Sequence, residues 1–205
     1  LTEEQNSEFV VAIQSLADRH RSKDFPIDLG GSPVMVHDLK KAMFSDMPVF
    51  VLASLGVIAL LLVILFRRLS GLVLPLLTVI FSLLTALGLV AVTGTKLTIV
   101  MQILPSFLLA VGIGYSMHLL VIYYRHLRDH GDKGEAIAYA MGHSGLAILI
   151  TSLTTAGGLL SFAPVKVAPV SDLGLFGAAG VLFCVFFTLV LLPALLSVFP
   201  EGKHV

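Results

Sequence analysis

Five long apolar stretches, at 48–66, 72–93, 98–124, 141–163 and 171–198, fill most of this 205-residue chain. Each is near the roughly 20 residues that a helix needs to cross a hydrocarbon layer. Water is absent at that depth, so a spanning segment must pair its backbone groups internally. No alternating strand pattern appears in any stretch, and all five are therefore predicted as helices. The fold class follows: an all-α membrane protein, a five-helix transmembrane bundle. With 57% of residues hydrophobic and 13% charged, the chain carries more apolar surface than a soluble domain of this size hides. Its formal net charge of zero gives no sign of a nucleic-acid partner. The single cysteine, Cys184, lies inside the last stretch and reads as small apolar filler, neither half of a disulfide nor a metal ligand.

Residues 1–46 differ in character. Glu3 to Arg21 places Phe9, Val10, Ile13, Leu16 and Ala17 at helical spacing. Pro26 to Gly31 reads as a short strand stopped by Gly30-Gly31-Ser32-Pro33, and Val34 to Asp46 as a second amphipathic helix. So small an α/β piece cannot bury a core of its own. It is expected to be the C-terminal remnant of a larger external domain, with 47–200 forming the bundle. The chain opens Leu1-Thr2-Glu3-Glu4 without an initiator methionine, which suggests a piece of a longer protein.

Orientation is read from basic residues in the short loops. Arg67 and Arg68 follow the first stretch, Arg125, Arg128 and Lys133 the third, and Lys203 the fifth. If every stretch crosses, these share one side, whereas the opposite loops hold Lys96 and Lys166. The C-terminus is then cytoplasmic and the N-terminal segment external.

The third stretch carries polar groups where hydrocarbon is expected: Tyr115, Ser116 and His118, beside Gly112 and Gly114. Polar side chains at that depth tend to face a bundle interior and mark an ion or substrate path. The fourth stretch runs the opposite way, which puts Thr151, Thr154 and Thr155 at a similar depth. If the two helices are neighbours, these threonines join Tyr115 and Ser116 in one polar cluster, with His118 about one turn nearer the cytoplasm. The small residues of the last two stretches, such as Gly142, Gly145, Gly157 and Gly158, then Gly174, Gly177 and Gly180, read as helix-packing stripes. Pro105 predicts a kink in the third stretch.

The run Val111-Gly112-Ile113-Gly114-Tyr115-Ser116-Met117-His118-Leu119-Leu120 resembles the fourth-helix motif of the resistance-nodulation-division (RND) superfamily, especially its MMPL-like lipid exporters. There the usual form is Gly-x-Gly-x-Asp-Tyr-x-x-His-Leu-Leu. Gly145-Leu146-Ala147-Ile148 with Thr151-Ser152-Leu153-Thr154-Thr155-Ala156-Gly157-Gly158 is similar to the fifth-helix pattern. Gly31-Ser32-Pro33-Val34 and Ser45-Asp46-Met47 resemble the end of the periplasmic porter domain. The resemblance implies that the five stretches are helices two to six, half of an RND transmembrane domain, and are similar to a sterol-sensing domain. It further implies a multi-pass protein of a cell membrane, the bacterial inner membrane, with a lipid or other hydrophobic substrate. The second half of the same chain and an oligomeric assembly are the implied partners. The family's proton-carrying aspartate aligns with Gly114, and its tyrosine with Tyr115. Within the five stretches the sole acid is Asp172, at the outer edge of the last.

Transport or proton-relay candidates are accordingly Tyr115, His118, Ser116, Thr151, Thr154 and Thr155, with Gly112 and Gly114 as motif backbone and Asp172 at the outer mouth. Histidine is the residue type that changes charge near neutral pH, so His118 stands in for the missing carboxylate or else serves a helix-bonding role. Asp172 reads either as an acid beside a helix N-terminus or as a contact at the outer mouth. His126, His130 and His143 are expected on the solvated linker or its edge. No cofactor and no metal site is expected. The function implied is proton-driven efflux of hydrophobic or amphiphilic molecules. The alternative is a non-transporting lipid- or sterol-sensing or scaffolding module, which the missing acid favours. An intramembrane enzyme is excluded for want of His-Glu-x-x-His or a pair of buried aspartates.

Overall fold

A computed structural model describes residues 3–22, 25–98 and 100–198. Lys203, which entered the orientation argument, lies outside them. The chain divides into two compact units, one ending at Val49 and one beginning at Phe50.

The first unit contains α1 (Glu3–His20) and the N-terminal part of α2 (Ser32–Phe66). Val10 and Ala17, two turns apart on one face of α1, are its buried apolar side chains. The Ser7 hydroxyl and His37 Nδ1, 2.9 Å apart, tie the two helices together. The strand expected at Pro26–Gly31 is not there, and no strand occurs among the described residues. A single extended segment has no ladder to join, and here the Ile27 carbonyl accepts instead from the Arg21 guanidinium, with Nε at 3.1 Å. The unit is therefore helical, not the α/β remnant that the sequence suggested.

The second unit holds the rest of α2, then α3 (Leu69–Val92), α4 (Ile103–His130), α5 (Lys133–Leu160), α6 (Ala168–Phe186) and α7 (Leu192–Val198). Among the described residues, five helical spans are long and apolar enough to cross a membrane: Ser32–Phe66, Leu69–Val92, Val100–His130, Lys133–Leu160 and Ala168–Val198. The bundle is built around α4, which packs on α3, α5 and α6, while α6 also packs on α3 and α5. Within 50–66 of α2 Leu62 alone is buried, although this is the most apolar span. In lipid, hydrophobicity keeps a helix in the layer but does not draw it into the bundle. The turn from α2 to α3 is fastened by Tyr124, whose hydroxyl lies 2.8 Å from that of Ser70 and whose ring meets Phe66 and the Arg68 guanidinium.

Local chemistry sets the helix ends. Gly131 closes α4 at φ 77°, a left-handed conformation that glycine adopts without strain, and its N–H donates to the Leu127 carbonyl. Asp132 then caps α5 by accepting from the Glu135 N–H at 2.7 Å. So short a link makes α4 and α5 an antiparallel hairpin, and Lys133 Nζ donates to the Ser197 carbonyl at the end of α7. Pro105, expected to kink the third stretch, lies near the start of α4. The span opens as a 3-10 turn, Val100–Gln102, so Pro105 falls in the first turn of α4, where the missing N–H is not needed. A π turn, Phe187–Leu191, lies between α6 and α7. Pro193 accounts for it, because its ring lacks an N–H and crowds the Leu189 carbonyl.

The packing stripes behave unequally. On α6, a Cβ at Gly180 would lie 2.6 Å from the Leu108 side chain, and one at Gly174 2.6 Å from the Leu159 carbonyl oxygen; these glycines let α4 and α5 approach. On α5, a Cβ at Gly142, Gly157 or Gly158 would meet nothing within 4 Å.

Candidate functional site: the cleft between α4 and α5

An α-helix turns about 100° per residue, so positions three and four apart share a face. On α4 that rule aligns Gly114, Tyr115, His118 and Ile122 toward α5. On α5 it aligns His143, Ala147, Thr151 and Thr155, with Ser144 and Ile148 beside them. Together with Ala110 and Val111, these residues line a cleft of about 600 Å³, a volume in the range of small-molecule sites. Tyr115, His118, Thr151 and Thr155, grouped from the sequence, all line this one cleft.

Tyr115, 6% exposed, and Ser144, 5% exposed, are the buried polar groups of this cleft. The Tyr115 hydroxyl oxygen is buried without a hydrogen bond of good geometry and faces the side chain of Thr155. Thr155 Oγ1 already donates to the Thr151 carbonyl at 2.8 Å, and Thr151 Oγ1 to the Ala147 carbonyl at 2.8 Å. With their protons committed, the threonine oxygens offer only lone pairs to the cleft. Tyr115 and Ser144, whose hydroxyl is also buried without a partner, are thus the O–H donors of the cleft, and the threonines are acceptors. His118, exposed at the wall, adds a group that donates or accepts.

Gly114 is the gap in the wall. A Cβ there would meet nothing within 4 Å, whereas one at Gly112 would lie 2.9 Å from Val79 and 3.2 Å from Cys184 Sγ. Gly112 is therefore required by packing and Gly114 is not, and a longer side chain at 114 would have room beside Tyr115.

Other candidates lie elsewhere. Ser116, fully buried, points to α3, where its hydroxyl is 3.5 Å from Thr78 Oγ1. Thr154 is exposed, donates to the Thr151 carbonyl at 2.9 Å, and is absent from the cleft lining. Asp172 also stands apart from the cleft. Because α6 begins at Ala168, this residue sits in its second turn, beyond the first-turn position where the helix dipole acts most strongly. His143 and Ser144 line the cleft although sequence reasoning had set His143 at the linker edge. The signal was the four-residue row His143, Ala147, Thr151, Thr155. Nor is His126 solvated, for it is 9% exposed. Among the described residues no group of three His, Cys, Asp or Glu side chains is arranged to hold a metal ion.

Comparison with known proteins places these residues in context. The model of the MMPL family matches residues 1–203. The membrane protein MJ1562 of Methanocaldococcus jannaschii is 28% identical over 175 residues, covering 85% of this chain and 45% of that protein. The hopanoid transporter HpnN of Rhodopseudomonas palustris is 29% identical over 124 residues, 60% of this chain and 14% of its own length. The mycolic acid-containing lipids exporter MmpL11 of Mycolicibacterium smegmatis is 26% identical over 169 residues, 81% of this chain and 17% of its own length. The chain therefore spans less than half of each of these relatives. No solved structure gives a significant match.

Proposed function

We propose, because this chain belongs to the MMPL family, that it forms part of a membrane transporter that exports lipids or other amphiphiles, driven by the proton gradient. The observation that carries the reading is the α4–α5 cleft, where Tyr115, His118, Thr151 and Thr155 form one polar wall between two helices long and apolar enough to cross a membrane. Burying such groups away from partners is costly, and membrane proteins retain them where they serve a path. The named transporters among the relatives, one for hopanoids and one for mycolic acid-containing lipids, support an apolar cargo.

In this reading the hairpin end of α4 and α5 faces the cytoplasm and the first unit lies outside, as the loop charges suggest. Tyr115 donates its O–H into the cleft and orients water or a cargo hydroxyl against the threonine acceptors. His118 takes and returns the proton that Gly114 cannot carry. A second half of the protein covers the open side of the cleft, and copies of the whole assemble as an oligomer. Gly114 favours one further reading, a lipid-sensing or scaffolding module that moves no cargo.

Export of a fluorescent lipid by cells carrying the full-length protein tests this. His118→Ala and Tyr115→Phe are each expected to reduce export about tenfold or more. Undiminished export in both removes this cleft from the transport path, and no export by the unsubstituted protein favours the sensing module.

A further inference from the structure

The α4–α5 hairpin carries a row of stacked rings that the reading above leaves unused. The His130 ring lies 4.1 Å from that of His126, with planes 10° apart. The Tyr139 ring lies 4.3 Å from the same imidazole, at 17°. Two near-parallel rings this close to a third occupy its opposite faces, so His126 is sandwiched between His130 of its own helix and Tyr139 of α5. Tyr139 continues, 5.8 Å away and 10° off parallel, to His143. His143 in turn lines the cleft with His118 and Tyr115. The row follows the four-residue repeat of each helix, 118, 122, 126 and 130 on α4 with 139, 143 and 147 on α5.

Packing alone does not call for an imidazole at its centre. His126 is 9% exposed and its Nε2 is buried with no hydrogen bond, a cost that a phenyl ring would avoid. The polar group facing that nitrogen is Glu135 of α5, whose Oε1 is 3.6 Å from Nε2 and whose side chain is 61% exposed. One end of the row thus reaches a solvated carboxylate and the other an intramembrane cleft.

We propose that His143, Tyr139, His126 and Glu135 form a proton path joining the cleft to water at the hairpin end. The proposal rests on the proton-driven reading above and gives it an exit. A proton held at His118 is taken up by His143, which becomes an imidazolium. Water beside the Tyr139 hydroxyl carries it to His126, whose Nε2–H gives it to the Glu135 carboxylate, and Glu135 releases it to bulk water. One proton enters, one leaves, and each imidazole returns to its neutral form.

The test uses the full-length protein in phosphatidylethanolamine–phosphatidylglycerol vesicles with a pH-sensitive dye inside and an imposed pH gradient. His126→Phe keeps the ring stack and removes the titratable group, and is expected to slow proton flux about tenfold or more. Glu135→Gln, at an exposed position that folding tolerates, is expected to slow it severalfold. Added imidazole is expected to restore flux to His126→Ala, which leaves a hole of that shape, but not to His126→Phe. Unchanged flux in His126→Phe and Glu135→Gln, with flux lost in His118→Ala, overturns the path and leaves the proton-driven reading standing. Absence of flux in the unsubstituted protein overturns both.

Discussion

The two faces of α4 answer to different demands. Toward α3 and α6 it is closed. Gly112 admits Val79 and Cys184, Leu108 fills the space over Gly180, and Ser116 is fully buried beside Thr78. Toward α5 it is open. Gly114 has no neighbour within reach of a Cβ, Tyr115 keeps an unpartnered hydroxyl, and His118 stands at the wall of a 600 Å³ cleft. Adjacent residues, Tyr115 and Ser116, fall on opposite sides of this division. One helix thus carries close packing on one face and, between Ala110 and Ile122, an unfilled polar surface on another. The closed face fixes where the helix sits, and the open face is free to act.

Substitutions on the two faces should separate stability from activity. The largest effect on stability is expected at Gly112→Ala, whose Cβ would collide with buried side chains. A loss of about 1–3 kcal/mol is expected in thermal or denaturant unfolding in detergent. Tyr115→Phe should do the reverse, cutting lipid export about tenfold while leaving stability unchanged or raising it, since the hydroxyl it removes is buried without a partner. An unfolding loss that matches the export loss would merge the two faces into one. Gly114→Ala, with open space at its Cβ, should raise stability by about 0.5–1 kcal/mol, the ordinary gain of alanine over glycine in a helix. Equal outcomes at 112 and 114 would break the comparison. Smallest of all, Ser116→Ala gives up one long hydrogen bond to Thr78, costs at most about 1 kcal/mol, and should leave export unaltered.

Much of this was legible from the chain. The five spans follow from length and apolarity, and opposed directions of the third and fourth put Tyr115 level with Thr151 and Thr155. Helical rotation was the harder quantity. Ser116 was grouped with Tyr115 because they adjoin, yet 100° of turn sends it to α3, and nothing in the sequence says which neighbour occupies that side. His143 was assigned to the linker because the helix was expected to begin near it. In fact α5 starts at Lys133, capped by Asp132, and brings His143 into the cleft. The strand at Pro26–Gly31 failed for want of a partner, a non-local condition that no local pattern encodes. The glycines of α5 looked like a packing stripe, but those at 142, 157 and 158 meet no side chain here.

Cysteine accessibility tests the division of α4 most directly. Cys184, the single cysteine of this chain and almost fully buried, would be replaced by alanine in a cysteine-free full-length protein. Single substitutions Gly114→Cys and Ser116→Cys would then be exposed in membranes to a water-soluble maleimide. The account expects rapid labelling at 114, slowed by an added amphiphile, and none at 116. Equal silence at both positions, or labelling at 116 alone, would contradict it.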